Sequence, residues 1–187
     1  KEDIPSNFTI DSNGLTIQRT GIGNGVLLQK QTNLNNRYLE IFVKLKSDTK
    51  LYLGNQFVET NVGKAFAVVD CAGGKLDIYA LDSTTTIEAT KPIPFAIVND
   101  RTYIVRLFKL ENLTRFEIVD TVTGASETLE KHQLGQFDKY KIGVISSSGN
   151  VVIPKISIKS LESEKPFVIF YGDSITEGNA VGSLAKT

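Results

Sequence analysis

The 187-residue chain has no tryptophan, no methionine, a single cysteine, a single histidine and no net charge. Each absence removes a class of explanation. A lone cysteine, Cys71, can form neither an internal disulfide nor a cysteine-based zinc cluster, and reads as a small apolar core residue. The lone histidine, His132, lies in Glu130-Lys-His-Gln133, a polar stretch of the kind found in exposed loops and helices, so it makes a poor catalytic base. Twenty-one basic residues balance 21 acidic ones, and the short cationic stretches 139–141 and 155–159 are interrupted by apolar residues at strand spacing. They read as solvated strand faces, and nucleic acid is excluded as a partner. No run of 18 apolar residues exists, so no membrane-spanning helix is expected and the membrane is excluded as a partner. The absence of methionine even at the first position implies that residues precede Lys1, which leaves room for a signal peptide. A secreted or periplasmic location is the expectation.

What the chain does have is alternation. In residues 38–46 one face carries Leu39, Ile41, Val43 and Leu45, and the other carries Tyr38, Glu40, Phe42 and Lys44. That pattern belongs to a sheet buried on one side. Comparable segments predict strands at 15–19, 25–29, 50–53, 65–69, 75–81, 86–89, 95–98, 102–110, 114–121, 141–146 and 151–161. Turn clusters such as Asp11-Ser-Asn-Gly14, Ala72-Gly-Gly74 and Thr123-Gly124 separate them. Gly21-Ile-Gly-Asn-Gly25 has no strand-to-helix context and no lysine, so it reads as another turn and not as a phosphate loop. Asn99-Asp100 reads as a hairpin turn. One short helix is predicted at 126–134, with Ser126 as its N-cap and Gly135 beyond its end. The expected fold is all-β: a two-sheet antiparallel jelly-roll sandwich over residues 1–161.

The succession Tyr103-Ile-Val-Arg-Leu-Phe, Arg115-Phe-Glu-Ile-Val-Asp-Thr-Val-Thr-Gly124, Lys141-Ile-Gly-Val-Ile-Ser and Val151-Val-Ile-Pro-Lys-Ile-Ser-Ile resembles the closing hairpins of concanavalin and laminin-G jelly rolls. The resemblance implies the fold and leaves open a glycan ligand, a protein ligand or a purely supporting role. Sugar platforms favour exposed aromatic rings, and with tryptophan absent the candidates are Tyr38, Phe42, Tyr52, Tyr79 and Tyr140, on or beside polar faces. Tyr38 and Phe42, sharing one mixed face, are the expected ligand-facing pair; the alternative is that a loop or another domain covers them. Asp70, Asp77, Asp82 and Asp120 are scattered singly, so no metal and no cofactor are expected.

After Leu161 the pattern changes. Residues 162–166, charged and ending in proline, read as a linker. Phe167-Val-Ile-Phe-Tyr171 is apolar without alternation, as in a parallel strand buried on both faces, and Gly172-Asp-Ser-Ile-Thr-Glu-Gly178 turns out of it. This block resembles the first motif of the SGNH, or GDSL-type, hydrolases. The resemblance implies an α/β esterase domain beginning at residues 167–187, with Ser174 as nucleophile and oxyanion N–H donor and with Asp173 and Gly172 supporting the turn. The family's later blocks, ending in an Asp-x-x-His pair, are missing, so the domain reads as truncated and this chain as inactive alone. The remainder of the hydrolase domain is then a partner. Residues 167–171 would otherwise expose five large apolar side chains, each worth about 1.5–3 kcal/mol on burial. They are expected to pack on the sandwich or to drive self-association.

Overall fold

The computed structural model describes residues 8–18, 26–30, 37–54, 64–81, 85–110, 113–132, 139–146 and 149–160. These hold thirteen strands and no helix. They are β1 (Phe8–Asp11), β2 (Gly14–Ile17), β3 (Val26–Lys30), β4 (Arg37–Lys44), β5 (Lys50–Gly54), β6 (Lys64–Asp70), β7 (Lys75–Leu81), β8 (Thr85–Pro92), β9 (Thr102–Leu110), β10 (Leu113–Asp120), β11 (Ser126–His132), β12 (Lys139–Ile145) and β13 (Val151–Ser160). Two sheets form, seven strands in the order β1-β2-β13-β4-β9-β10-β11 and six in the order β3-β12-β5-β6-β7-β8. Every pairing is antiparallel. The expected two-sheet sandwich is the fold observed.

The core sits between the sheets because each strand puts alternate side chains inward. From the seven-stranded sheet come Ile17, Leu39, Ile41, Val43, Val105, Leu107, Phe116 and Ile118; from the six-stranded sheet come Leu51, Leu53, Ala67, Val69, Leu76, Ile78 and Ile142, all fully buried. β9 shows the cause most simply: buried and half-buried residues alternate along all nine of its positions. Cys71, at the turn after β6, packs into this core, and burial reinforced by the carboxylates of Asp70 and Asp48 pushes its thiol up to about 12. It behaves as an inert apolar residue, as the sequence implied.

Two local expectations are corrected. Residues 126–132 of the expected helix are the edge strand β11, paired residue by residue with β10 from Leu113–His132 to Val119–Ser126. The turn before it fixes that outcome: the Asp120 N–H donates to the Ala125 carbonyl at 2.8 Å, and the Gly124 N–H to the Asp120 carbonyl at 2.9 Å, with Gly124 at φ 73°. β11 hides its strand signal because it closes an edge with charge. Lys91 on β8 reaches Glu127 at 2.6 Å, and Lys131 reaches Glu88 at 3.4 Å, so ion pairs between the sheets replace apolar contacts there.

The other correction concerns residues 95–98, which form an irregular crossing from β8 in one sheet to β9 in the other. Pro92 and Pro94 have no N–H to give a ladder. The backbone groups nearby bond elsewhere: Ile93 N–H to the Gly74 carbonyl at 2.8 Å, Val98 N–H to the Tyr103 hydroxyl at 2.8 Å and Asp100 N–H to the Leu45 carbonyl at 2.9 Å. Asn99 and Asp100 do form a turn, with Asp100 at φ 61°, but it joins strands of different sheets and so is not a hairpin.

Candidate functional site

Tyr38 and Phe42 lie on the outer face of the seven-stranded sheet, where register builds three parallel rows. One row runs Lys159, Tyr38, Phe108, Arg115, Glu130; the next runs Ser157, Glu40, Arg106, Glu117, Thr128; the third runs Lys155, Phe42, Ile104, Val119, Ser126. Tyr38 is 8% exposed and stacks on Phe108, ring centroids 4.7 Å apart. Lys159 Nζ lies 5.6 Å from the Tyr38 centroid, Lys155 Nζ lies 5.2 Å from that of half-buried Phe42, and the Arg115 guanidinium lies 5.9 Å from that of Phe108.

The charges on this face satisfy one another. Glu40, 5% exposed, accepts from Arg106 at 2.8 Å and Lys159 at 2.9 Å, and Arg106 also reaches Glu117 at 2.8 Å. Burial pushes the Glu40 carboxyl up, but the hydrogen bonds and charges of Arg106 and Lys159 outweigh it and hold the group below the usual carboxylate range. Arg115 pairs with Glu130 at 2.5 Å. A ligand here would have to break bonds already made.

The outer face of the six-stranded sheet is built differently. Tyr52 on β5, Phe66 on β6 and Tyr79 on β7 converge there. Phe66 and Tyr79 stack with centroids 4.7 Å apart and planes 7° from parallel, and Tyr52 tilts against Phe66 at 6.2 Å. With Val68 they form an apolar cluster separate from the core. Gly143 opposite Tyr52, and Gly54 opposite Phe66, put no side chain on this face, so the rings border a low strip.

Acidic groups edge the cluster. Asp77, in register with Val68, is 1% exposed; its Oδ2 accepts from Lys75 at 2.9 Å, while its Oδ1 has no hydrogen-bond partner among the described residues. Asp70 accepts from Lys50 at 3.1 Å and from the Gly73 N–H at 2.9 Å. Burial first, then the neighbouring Tyr79 and Asp70, push the Tyr52 hydroxyl up; burial and then Asp77 do the same to Tyr79. Both phenols stay neutral and able to donate at physiological pH.

Of the remaining expectations, Gly172, Asp173, Ser174 and the strand at 167–171 lie outside the described residues, as do Gly21–Gly25 and Asp82; the Tyr140 side chain is likewise outside them. His132 is exposed at the end of β11. Asp120 faces inward and serves the β10–β11 turn, accepting from Arg101 at 2.7 Å and from the Val122 N–H at 2.9 Å. Among the described residues no three acidic, histidine or cysteine side chains gather as a metal site.

Set beside solved structures, this sandwich superposes over 82% of its length on the carbohydrate-binding module CBM66 of Bacillus subtilis, covering 91% of that chain at 11% identity with a TM-score of 0.57. The fold is a lectin-type jelly roll. The exoplasmic/lumenal domain of VIP36 in its Ca2+/mannose-bound form matches with a TM-score of 0.58 at 9% identity, over 89% of this chain and 84% of that one. Arcelin-5, a lectin-like defence protein of Phaseolus vulgaris, matches with a TM-score of 0.51 at 13% identity, over 82% and 90%. The sequence matches no protein-family model and no curated protein.

Sequence reading named Tyr52, Tyr79, Asp70 and Asp77 singly and did not join them. The period-2 pattern does put Phe66, Val68 and Asp70 on one face of β6, and Asp77 and Tyr79 on one face of β7. The available signal was therefore an aromatic and a carboxylate recurring on the polar faces of successive strands.

Proposed function

We propose that this lectin-type sandwich is a carbohydrate-binding module, and that a saccharide lies on the outer face of its six-stranded sheet. The observation that carries this reading is the Tyr52–Phe66–Tyr79 cluster beside a buried carboxylate with an unpartnered oxygen. A sugar ring offers an apolar C–H face suited to an aromatic surface, and hydroxyls that need acceptors within reach. A buried polar atom left without a partner demands an explanation, and a ligand hydroxyl donating to Asp77 Oδ1 supplies one. The solved lectin-type structures support the reading through shared fold.

The test is a glycan array followed by calorimetry on the best binder. Tyr79→Ala and Asp77→Asn should each weaken binding by about tenfold or more, ~1.4 kcal/mol, with the cooperative unfolding transition retained. Phe42→Ala should leave affinity unchanged. A folded chain that binds no glycan would overturn the proposal, and a loss confined to Phe42→Ala would move the site to the Tyr38 and Phe42 face.

Gly172-Asp-Ser-Ile-Thr176 supports a second proposal: residues 1–161 are the accessory module of an SGNH-type ester hydrolase, joined through 162–166 to a domain whose nucleophile is Ser174. A reading frame that continues beyond Thr187 to an Asp-x-x-His pair supports it, and one without such a pair sinks it.

A further inference from the structure

At one end of the sandwich a single row of inward-facing residues crosses the seven-stranded sheet: Ser160, Arg37, Lys109, Thr114 and Lys131, aligned in register. These are the last residue of β13, the first of β4, the second-last of β9, the second of β10 and the second-last of β11. Where the neighbouring inward row is Leu39, Leu107, Phe116 and Leu129, this one carries three cations. Lys131 is neutralised by Glu88 across the sandwich edge. Arg37, Thr114 and Ser160 are each engaged in contacts of their own.

Lys109 differs from all of these. It is 3% exposed, it has no hydrogen-bond or ion-pair partner among the described residues, and its direct neighbour in register is the like-charged Arg37. Burial alone holds its amine below the usual lysine range, and no carboxylate raises it again. A buried ammonium without a counter-charge is unfavourable by several kcal/mol, and like charges placed opposite each other on adjacent strands add to the cost. A satisfied lysine would have a carboxylate beside it, as Lys75 has Asp77 and Lys131 has Glu88.

We propose that Lys109, with the Arg37 and Thr114 positions flanking it, forms an oxyanion-binding site at this end of the sandwich, separate from the aromatic face. The ligand group is a small oxyanion, a planar carboxylate or a tetrahedral sulfate or phosphate, entering from the sheet end and supplying the negative charge that the fold omits. The ammonium provides the charge, and three N–H donors are available to share among the anion's oxygens. The inference does not depend on saccharide binding at the other sheet.

Thermal unfolding of the whole chain tests it at pH 7 and fixed ionic strength, with chloride exchanged stepwise for acetate, sulfate or phosphate. Acetate reports the planar class, and the other two report the tetrahedral class. The wild type should gain stability saturably with at least one of them, because a ligand that binds only the folded state shifts the transition by mass action. Lys109→Met should abolish that gain while melting at the same or a higher temperature in chloride, since it removes an unpaired buried charge. Lys131→Met should retain the gain. Equal responses from wild type and Lys109→Met would show a bulk salt effect, and no response in any anion would show no site; either result overturns the proposal. If Lys109→Met does not fold, the side-chain amine resonance of Lys109 in the wild type decides: it must move saturably with the anion, and a stationary signal overturns the site.

Discussion

Replacing Gly14 with alanine should destabilise the protein by about 3 kcal/mol. Gly14 ends the tight β1–β2 turn, where the Asn13 N–H donates to Asp11 Oδ1 at 2.7 Å and Asp11 pairs with Gly14 itself. Its φ of 112° lies where an L side chain is strained, a conformation worth about 1–3 kcal/mol. A Cβ at that position would also lie 2.7 Å from the Cα of Pro154 and press on the Ile153 carbonyl, so it meets the backbone of β13, which cannot rotate aside. Gly124→Ala is the control, because its φ of 73° is also left-handed but a Cβ there meets nothing within 4 Å. It should cost only about 1 kcal/mol. Urea titrations of the two variants give the comparison, and hydrogen exchange at residues 8–17 shows whether the hairpin frays in place of global loss. Equal costs at the two glycines would refute the backbone-clash argument.

Asp120→Ala should cost a similar amount, about 3 kcal/mol, because it strips a buried acceptor from one charged donor and one backbone donor together. Asp120 is 1% exposed and holds Arg101 and the Val122 N–H, pinning the turn that starts β11 to the crossing that starts β9. Burial pushes its carboxyl up, but the bonds from Val122, Arg101 and Thr123 prevail and hold it below the usual range. Glu40 is depressed for the corresponding reason, through Arg106 and Lys159.

The sign of the pH dependence follows. A carboxylate whose folded pKa lies below its unfolded one contributes stability that is fully present above the unfolded value, and that is lost as pH falls through the folded value. Melting temperature should therefore fall steeply below about pH 4. Asp120→Asn keeps an acceptor but has no proton to gain, so its decline in that range should be shallower than that of the wild type. Parallel curves for the two proteins would rule out Asp120 as a source of the acid sensitivity.

The alternation of apolar and polar side chains in β4, β9 and β10 was sufficient to identify strands, faces and core, because period 2 is a local property that burial on one side imposes on each strand separately. Composition could likewise dispose of disulfides and of a Cys71 function without reference to any neighbour. The same local reading failed at 126–132, where an edge strand is closed by charge and has only Leu129 turned into the core, so it carries almost no alternation to detect. It failed again at 95–98, where Phe95 and Ile97 alternate like a strand although the backbone bonds across the two sheets.

The candidate sites belong to tertiary structure altogether. Nothing local brings Tyr52, Phe66 and Tyr79 side by side, or lines up Arg37, Lys109 and Lys131; strand order and register do both. By itself the sequence determined which side of each strand meets water, since that depends on the strand's own pattern. Only the folded sheets decided which water-facing rings and carboxylates became neighbours, and which inward cation was left without a counter-charge, since those depend on residues far apart in the chain.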